Sequence, residues 1–131
     1  MSPAPRIDTF MTRSPIVVAP ATTMARALRI MEEQGIRHLP IVEGERLVGC
    51  VSERELKVVE NMRAVDSALC IVGDFILGPP YSVPPEAPLR DVCGAMAEKK
   101  YGSAIVVDGE RIVGMFTTTD ALRAVASLLG S

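Results

Sequence analysis

Gly114-x-x-Thr117-x-x-Asp120 lies near the end of the chain, and Gly49-x-x-Ser52-x-x-Glu55 stands 65 residues before it. A hydroxyl followed three residues later by a carboxylate, just after an apolar run, is the pattern of a helix capping box. The hydroxyl accepts from the third amide and the carboxylate reaches back to the first. Capping accounts for both motifs without any ligand. Arg37-His38 is the other pair with chemical potential. The planar fork of an arginine matches a phosphate bidentately, although a solvated surface arginine has the same sequence signature. His38, the only histidine, can titrate near its ordinary pKa of about 6.5 or sit satisfied at a strand edge.

Enzyme chemistry finds little support. No Cys-His or Ser-His arrangement, Walker-type loop or carboxylate cluster with metal-ligand spacing is legible, so neither a catalytic set nor a metal site is expected. The 131 residues carry 14 basic and 16 acidic side chains, a net charge of −2, so nothing favours a nucleic-acid backbone or an anionic membrane. Hydrophobic residues at 48% and charged residues at 23% place the chain among globular proteins. Cys50, Cys70 and Cys93 are odd in number and widely spaced, which suggests free, mostly buried thiols in a reducing compartment. Apolar runs are broken by Pro40 and by Gly73-Asp74, well short of a membrane span. Met1–Arg6 holds two prolines and no apolar core of a secretory signal, so a cytoplasmic location is expected.

The elements that would position these residues are duplicated. Phe10–Leu56 aligns with Phe75–Ala121 without a gap. Identical pairs are Phe10/Phe75, Pro15/Pro80, Val18/Val83, Pro20/Pro85, Met31/Met96, Glu33/Glu98 and Val42/Val107. The run Gly44-Glu45-Arg46 against Gly109-Glu110-Arg111 follows, then Val48/Val113 and Gly49/Gly114. Chance would supply roughly three such identities. Met24, Ala27, Leu28 and Met31 form an apolar helical stripe that Leu89, Val92, Cys93 and Met96 repeat. Prolines at Pro20 and at Pro85 and Pro88 mark the starts of those helices. Leu39–Val42 and Leu47–Val51, joined through Gly44, read as a hairpin, as do Ala104–Val107 and Ile112–Phe116 through Gly109. Their continuous apolar runs suit strands covered on both faces. A last helix opens at Ser52 in one copy and at Thr117 in the other. Each half, strand-helix-strand-strand-helix in about 60 residues, is too small to be comfortably stable alone.

The doubled order of elements and the doubled G-x-x-(S/T)-x-x-(D/E) motif resemble the cystathionine-β-synthase, or CBS, domain pair. Ile7-Asp-Thr-Phe-Met-Thr12 resembles the segment that opens the family's motif, and Gly35-Ile-Arg-His-Leu-Pro-Ile-Val42 resembles the strand after its first helix. The resemblance implies an α/β (α+β) fold of two pseudo-symmetric motifs, 7–66 and 72–128. Each would be a small mixed sheet of about three strands with two helices, the motifs packed through their sheets. It further implies clefts that take AMP, ADP, ATP or S-adenosylmethionine. Asp120 would hold the two ribose hydroxyls, as a carboxylate that accepts two hydrogen bonds can, with Thr117 beside it and the amides of the helix N-terminus favouring phosphate. Thr12, Pro15 and Val17 would flank the adenine, with Ile36, Arg37 and His38 close by and Ser103 near the phosphates.

The copies differ where that chemistry lies. Glu55, one methylene longer, replaces the aspartate, so the cleft of Ser52, Glu55, Tyr101 and Gly102 is expected to be the weaker. The expectation is a regulatory module, not an enzyme, that senses an adenosine derivative and relays it by changing shape. It needs no cofactor and would act as a homodimer, with an unidentified protein target. The alternative is a ligand-free module for dimerisation or docking, using faces that include Leu56, Val59, Leu122 and Val125.

Overall fold

Helical and strand periodicities alternate along the chain, and the computed structural model, which describes residues 4–62, 65–76 and 78–130, follows them. In order come α1 (Ile7–Phe10), β1 (Thr12–Arg13), α2 (Met24–Gln34), β2 (His38–Glu43), β3 (Arg46–Ser52) and α3 (Glu53–Glu60). A 3-10 turn (Val72–Phe75) leads into β4 (Ser82–Val83), α4 (Leu89–Lys99), β5 (Ser103–Asp108), β6 (Arg111–Thr117) and α5 (Thr118–Leu129).

Three of the four residues in each predicted stripe are buried, and Leu28 and Cys93 are half-buried. Met24, Ala27 and Met31 are buried on α2, and Leu89, Val92 and Met96 on α4. Pro88 immediately precedes α4, as expected. α2 starts later than Pro20, because the Thr23 hydroxyl accepts from the Arg26 amide and so fixes the cap at residue 23.

Two compact units result, one of residues 1–15 and 81–131, the other of residues 16–80. The first holds a four-stranded sheet in the order β1-β6-β5-β4. Its core gathers Ile7, Val83, Leu89, Val92, Met96 and Phe116. The second holds the β2–β3 hairpin over Met24, Met31, Leu39, Ile41, Val51 and Leu56. Fully burying a side chain such as Phe116 or Leu56 is worth about 1.5–3 kcal/mol.

Where about three strands per motif were expected, the described strands divide as four and two. In the first unit β4 lies parallel to β5, and the Ile105 amide donates to the Tyr81 carbonyl at 2.9 Å. Sixty-five residues earlier the donor would be Pro40, which has no N–H. The counterpart of β4 therefore shrinks to one parallel bridge, Val18 to Ile41, held by Val18 N–H to Pro40 O (3.0 Å) and Val42 N–H to Val18 O (2.8 Å).

The segment that opens each repeat is built into the other repeat's unit. Ile7, Asp8 and Leu89 donate to the carbonyls of Ala87, Pro85 and Pro5 at 2.8, 3.1 and 2.9 Å. In the second unit Val72, Gly73 and Met24 donate to Thr22, Pro20 and Cys70 at 2.8, 2.9 and 2.8 Å. Every one of these bonds maps onto its twin by the 65-residue offset. Ile7 and Val72 are both fully buried as a result.

Leu39-Pro40-Ile41 and Ala104-Ile105-Val106 are buried in succession, as strands covered on both faces must be. The thiols depart from expectation. Cys50, Cys70 and Cys93 are only half-buried. Burial pushes the Cys93 thiol up from its ordinary value. Leu56 is fully buried and Val59 packs partly buried against the same core, so these two belong to the interior and not to a docking face. Leu122 and Val125 are exposed. Among the described residues no helix is long and apolar enough to cross a membrane.

Candidate ligand-binding site at Asp120

β6 ends at Thr117, whose extended backbone turns the chain into α5 and places Asp120 at the third helical position. Both halves of the capping box form. The Asp120 amide donates to Thr117 Oγ1 at 3.3 Å, and the Thr117 amide donates to Asp120 Oδ2 at 2.9 Å. Thr117 Oγ1 also donates to Oδ2 at 3.2 Å. A third residue arrives from β1, which pairs Thr12 with Met115 and Arg13 with Gly114. Thr12 Oγ1 then donates across the carboxylate, 3.2 Å from Oδ1 and 3.4 Å from Oδ2. Asp120 is only 6% exposed, the one buried charged side chain among the described residues. Arg123, a turn further along α5, places Nη1 3.8 Å from Oδ1.

Other candidates lie in the same unit. Ser103 is paired in register with Thr117, and the neighbouring Gly102 carbonyl accepts from the Thr118 amide at 3.4 Å. Tyr101 stacks on Tyr81 with ring centroids 5.0 Å apart. Pro15 follows Ser14, whose φ of 49° turns the chain away after its amide bonds Val113 O at 3.3 Å. Thus Thr12, Pro15, Ser103, Thr117 and Asp120 share a unit, and so do Tyr101 and Gly102, the residues expected to face Ser52 and Glu55 in the weaker cleft.

Val17, Ile36, Arg37, His38, Ser52 and Glu55 belong to the second unit. There the capping box repeats, Ser52 N–H and Oγ donating to Glu55 Oε1 at 3.1 and 2.9 Å and the Glu55 amide returning to Ser52 Oγ at 3.2 Å. Glu55 is exposed where Asp120 is buried. The Arg37 side chain is exposed, while its carbonyl accepts from the Glu53 amide at 2.8 Å. Val17 is also exposed and Ile36 half-buried. His38 is half-buried opposite Ser52. Burial lowers its pKa below 6.5, a shift that nearby Glu55 opposes and the Arg37 charge reinforces.

Sequence reasoning passed over Arg123 and Met11. Arg123 was legible, since i,i+3 neighbours meet on a helix. Met11, whose side chain covers Gly114, carried no local signal. Among the described residues no group of three His, Cys, Asp or Glu side chains could hold a metal ion.

A family model for the CBS domain matches residues 7–60 and again 72–127. The chain belongs to the CBS domain family. The CBS-pair protein CBSX2 of Arabidopsis thaliana superposes with a TM-score of 0.80 at 25% identity, covering 98% of this chain and 99% of that one. The structure of CBSX2 in complex with AMP gives 0.79 at 27% identity over 94% and 97%. The CBS domain pair of MJ0100, in complex with 5′-methylthioadenosine and S-adenosyl-L-methionine, shares the fold at a TM-score of 0.83 and 21% identity, over 95% and 98%. Inosine-5′-monophosphate dehydrogenase of Korarchaeum cryptofilum is 31% identical over 88% of this chain, which spans only 23% of that protein. The chain likewise spans 12% of the A-adding tRNA nucleotidyltransferase of Geobacter sulfurreducens, at 28% identity over 84% of its own length.

Proposed function

We propose that this CBS pair is a regulatory, non-catalytic module that binds an adenosine derivative and relays its presence through a change of conformation. The observation that carries the reading is Asp120, a buried carboxylate at the N-terminus of a twelve-residue helix, with two hydroxyl side chains on it. A carboxylate so placed can accept both hydroxyls of a ribose, and the helix amides beside it favour a phosphate. The AMP complex of CBSX2, 27% identical, supports an adenine nucleotide as the ligand class. AMP, ADP, ATP and S-adenosylmethionine are the proposed candidates, bound as ligands and not as required cofactors. Glu55, exposed and longer, is proposed to bind more weakly or not at all.

Thermal unfolding of the whole chain with AMP, ADP, ATP, S-adenosylmethionine and NAD tests the reading. A ligand at a hundredfold excess over its dissociation constant stabilises by about 2.7 kcal/mol, and Asp120→Ala removes the shift. Equal shifts in parent and variant would reject the assignment of Asp120.

A second reading is a module for self-association, as a homodimer, or for docking on a protein target. It is favoured by α5, where Leu122, Val125 and Leu129 are 72%, 50% and 81% exposed. Sedimentation of the parent and of Leu122→Glu separates it from the first. A nucleotide-independent dimer that Leu122→Glu dissociates, together with no thermal shift from any nucleotide, would favour association over sensing.

A further inference from the structure

The acceptor positions of Asp120 are shared out among donors of the chain itself. Oδ2 takes the Thr117 amide at 2.9 Å and the Thr117 hydroxyl at 3.2 Å, which uses both its lone pairs. Spare capacity lies on Oδ1, and there Thr12 Oγ1 stands at 3.2 Å, with a longer approach of 3.4 Å to Oδ2. Arg123 Nη1, at 3.8 Å, is too far for a hydrogen bond and leaves one lone pair of Oδ1 open. A single ligand hydroxyl fits that position. A vicinal diol brings two donors, and the second needs the place of Thr12.

We infer that Thr12 is an internal competitor for the diol, a residue that sets ligand affinity and selectivity at Asp120. The inference rests on the ribose reading above. Thr12 is exposed, and its strand is held by backbone pairing with Met115 and Gly114, so the hydroxyl can rotate off the carboxylate while β1 stays in place. Binding a diol then exchanges the Thr12 hydrogen bond for a ligand hydrogen bond. That lowers the net gain for ribonucleotides and leaves a one-hydroxyl ligand unaffected.

Calorimetric titration of the whole chain with AMP and with 2′-deoxy-AMP tests this in the parent, Thr12→Val, Thr12→Ser and Asp120→Asn. Thr12→Val should bind AMP about fivefold more tightly, the worth of one net hydrogen bond, while its melting temperature without nucleotide falls. A merely structural role would lower both. Thr12→Ser should behave as the parent, and 2′-deoxy-AMP should gain nothing from the valine. Equal or weaker AMP binding by Thr12→Val, with Asp120→Asn still impaired, overturns the competition and leaves the ribose reading standing. An equal gain with 2′-deoxy-AMP also overturns it. AMP binding untouched by Asp120→Asn, or no AMP binding by the parent, overturns both.

Discussion

Met11 lies across Gly114, so close that a β-carbon at residue 114 would collide with the methionine side chain. Its counterpart 65 residues away is Ile76 over Gly49, where a β-carbon would come within 2.9 Å of the isoleucine Cγ1. Both glycines are buried in the second strand of a hairpin, and each is covered by the segment that opens the other repeat. The two small residues are what let those segments approach.

Gly114→Ala should therefore destabilise the protein by about 1–3 kcal/mol, the usual cost of overpacking a closed site. The obstruction is a flexible thioether, so Met11→Ala in the same chain should recover part of the loss. Urea unfolding of the two single variants and the double variant measures the coupling. Additive losses would mean that Met11 is not what the new methyl meets.

Much of this fold was legible because burial repeats with the sequence. The α2 and α4 stripes, the two hairpins and both capping boxes are local patterns, and local patterns survive into structure when packing agrees with them. The exchange of opening segments was not legible in the repeat itself, although the family resemblance had already set Thr12 in the cleft of Asp120. A repeat states that Ile7 and Val72 are equivalent, but not whose core each enters, and the contact of Thr12 with Asp120 spans 108 positions. Pro40 was a signal present in the sequence and not used. Val17-Val18 has stronger strand character than Ser82-Val83, yet it pairs less, because its partner strand lacks one donor. The difference between Asp120 and Glu55 was read as one of length, and the structure adds a difference of burial.

Lys100 ends α4 with φ of 60°, where its equivalent, Gly35, ends α2 with φ of 64°. The left-handed conformation costs a side-chain-bearing residue about 1–2 kcal/mol, and glycine's extra freedom in the unfolded chain offsets about 0.4–1 kcal/mol of any relief. Relief exceeds the entropic loss, so Lys100→Gly should stabilise by about 0.5–1 kcal/mol. Gly35→Lys should cost a similar amount. Chemical denaturation of both variants checks the pair of signs, and a destabilised Lys100→Gly would show that the lysine side chain contributes more than its backbone costs.

His38 should make stability depend on pH. Its folded pKa lies below the ordinary 6.5, chiefly through burial. Below 6.5 the unfolded chain therefore binds the proton more readily than the folded one, and stability falls as pH drops from 6.5 toward the folded value. Above 6.5 both forms are neutral and the full stability is present. Denaturation between about pH 7.5 and about pH 5.5, a range chosen around the imidazole titration, should show a fall in the parent that is shallower in His38→Gln. Parallel curves would assign the dependence to the carboxylates.

The two capping boxes provide an internal comparison of what burial adds to the same bond pattern. Replacing a capping side chain typically costs about 1 kcal/mol, which is the loss expected for Glu55→Ala, where water can reach every group the carboxylate leaves behind. Asp120 is buried and serves the Thr117 amide, the Thr117 hydroxyl and the Thr12 hydroxyl together. Its removal leaves the partly buried Thr117 amide and hydroxyl without their acceptor, and an unsatisfied buried donor costs about 1–3 kcal/mol, whereas the exposed Thr12 hydroxyl can turn to water. Asp120→Ala should therefore destabilise by about 2 kcal/mol, more than Glu55→Ala, with Thr12→Val in the same background adding little because its bond is already gone. Urea unfolding of the parent and these three variants reads the order directly. If Glu55→Ala proves as costly as Asp120→Ala, burial adds nothing to the second box, and Asp120 is a helix cap like its twin.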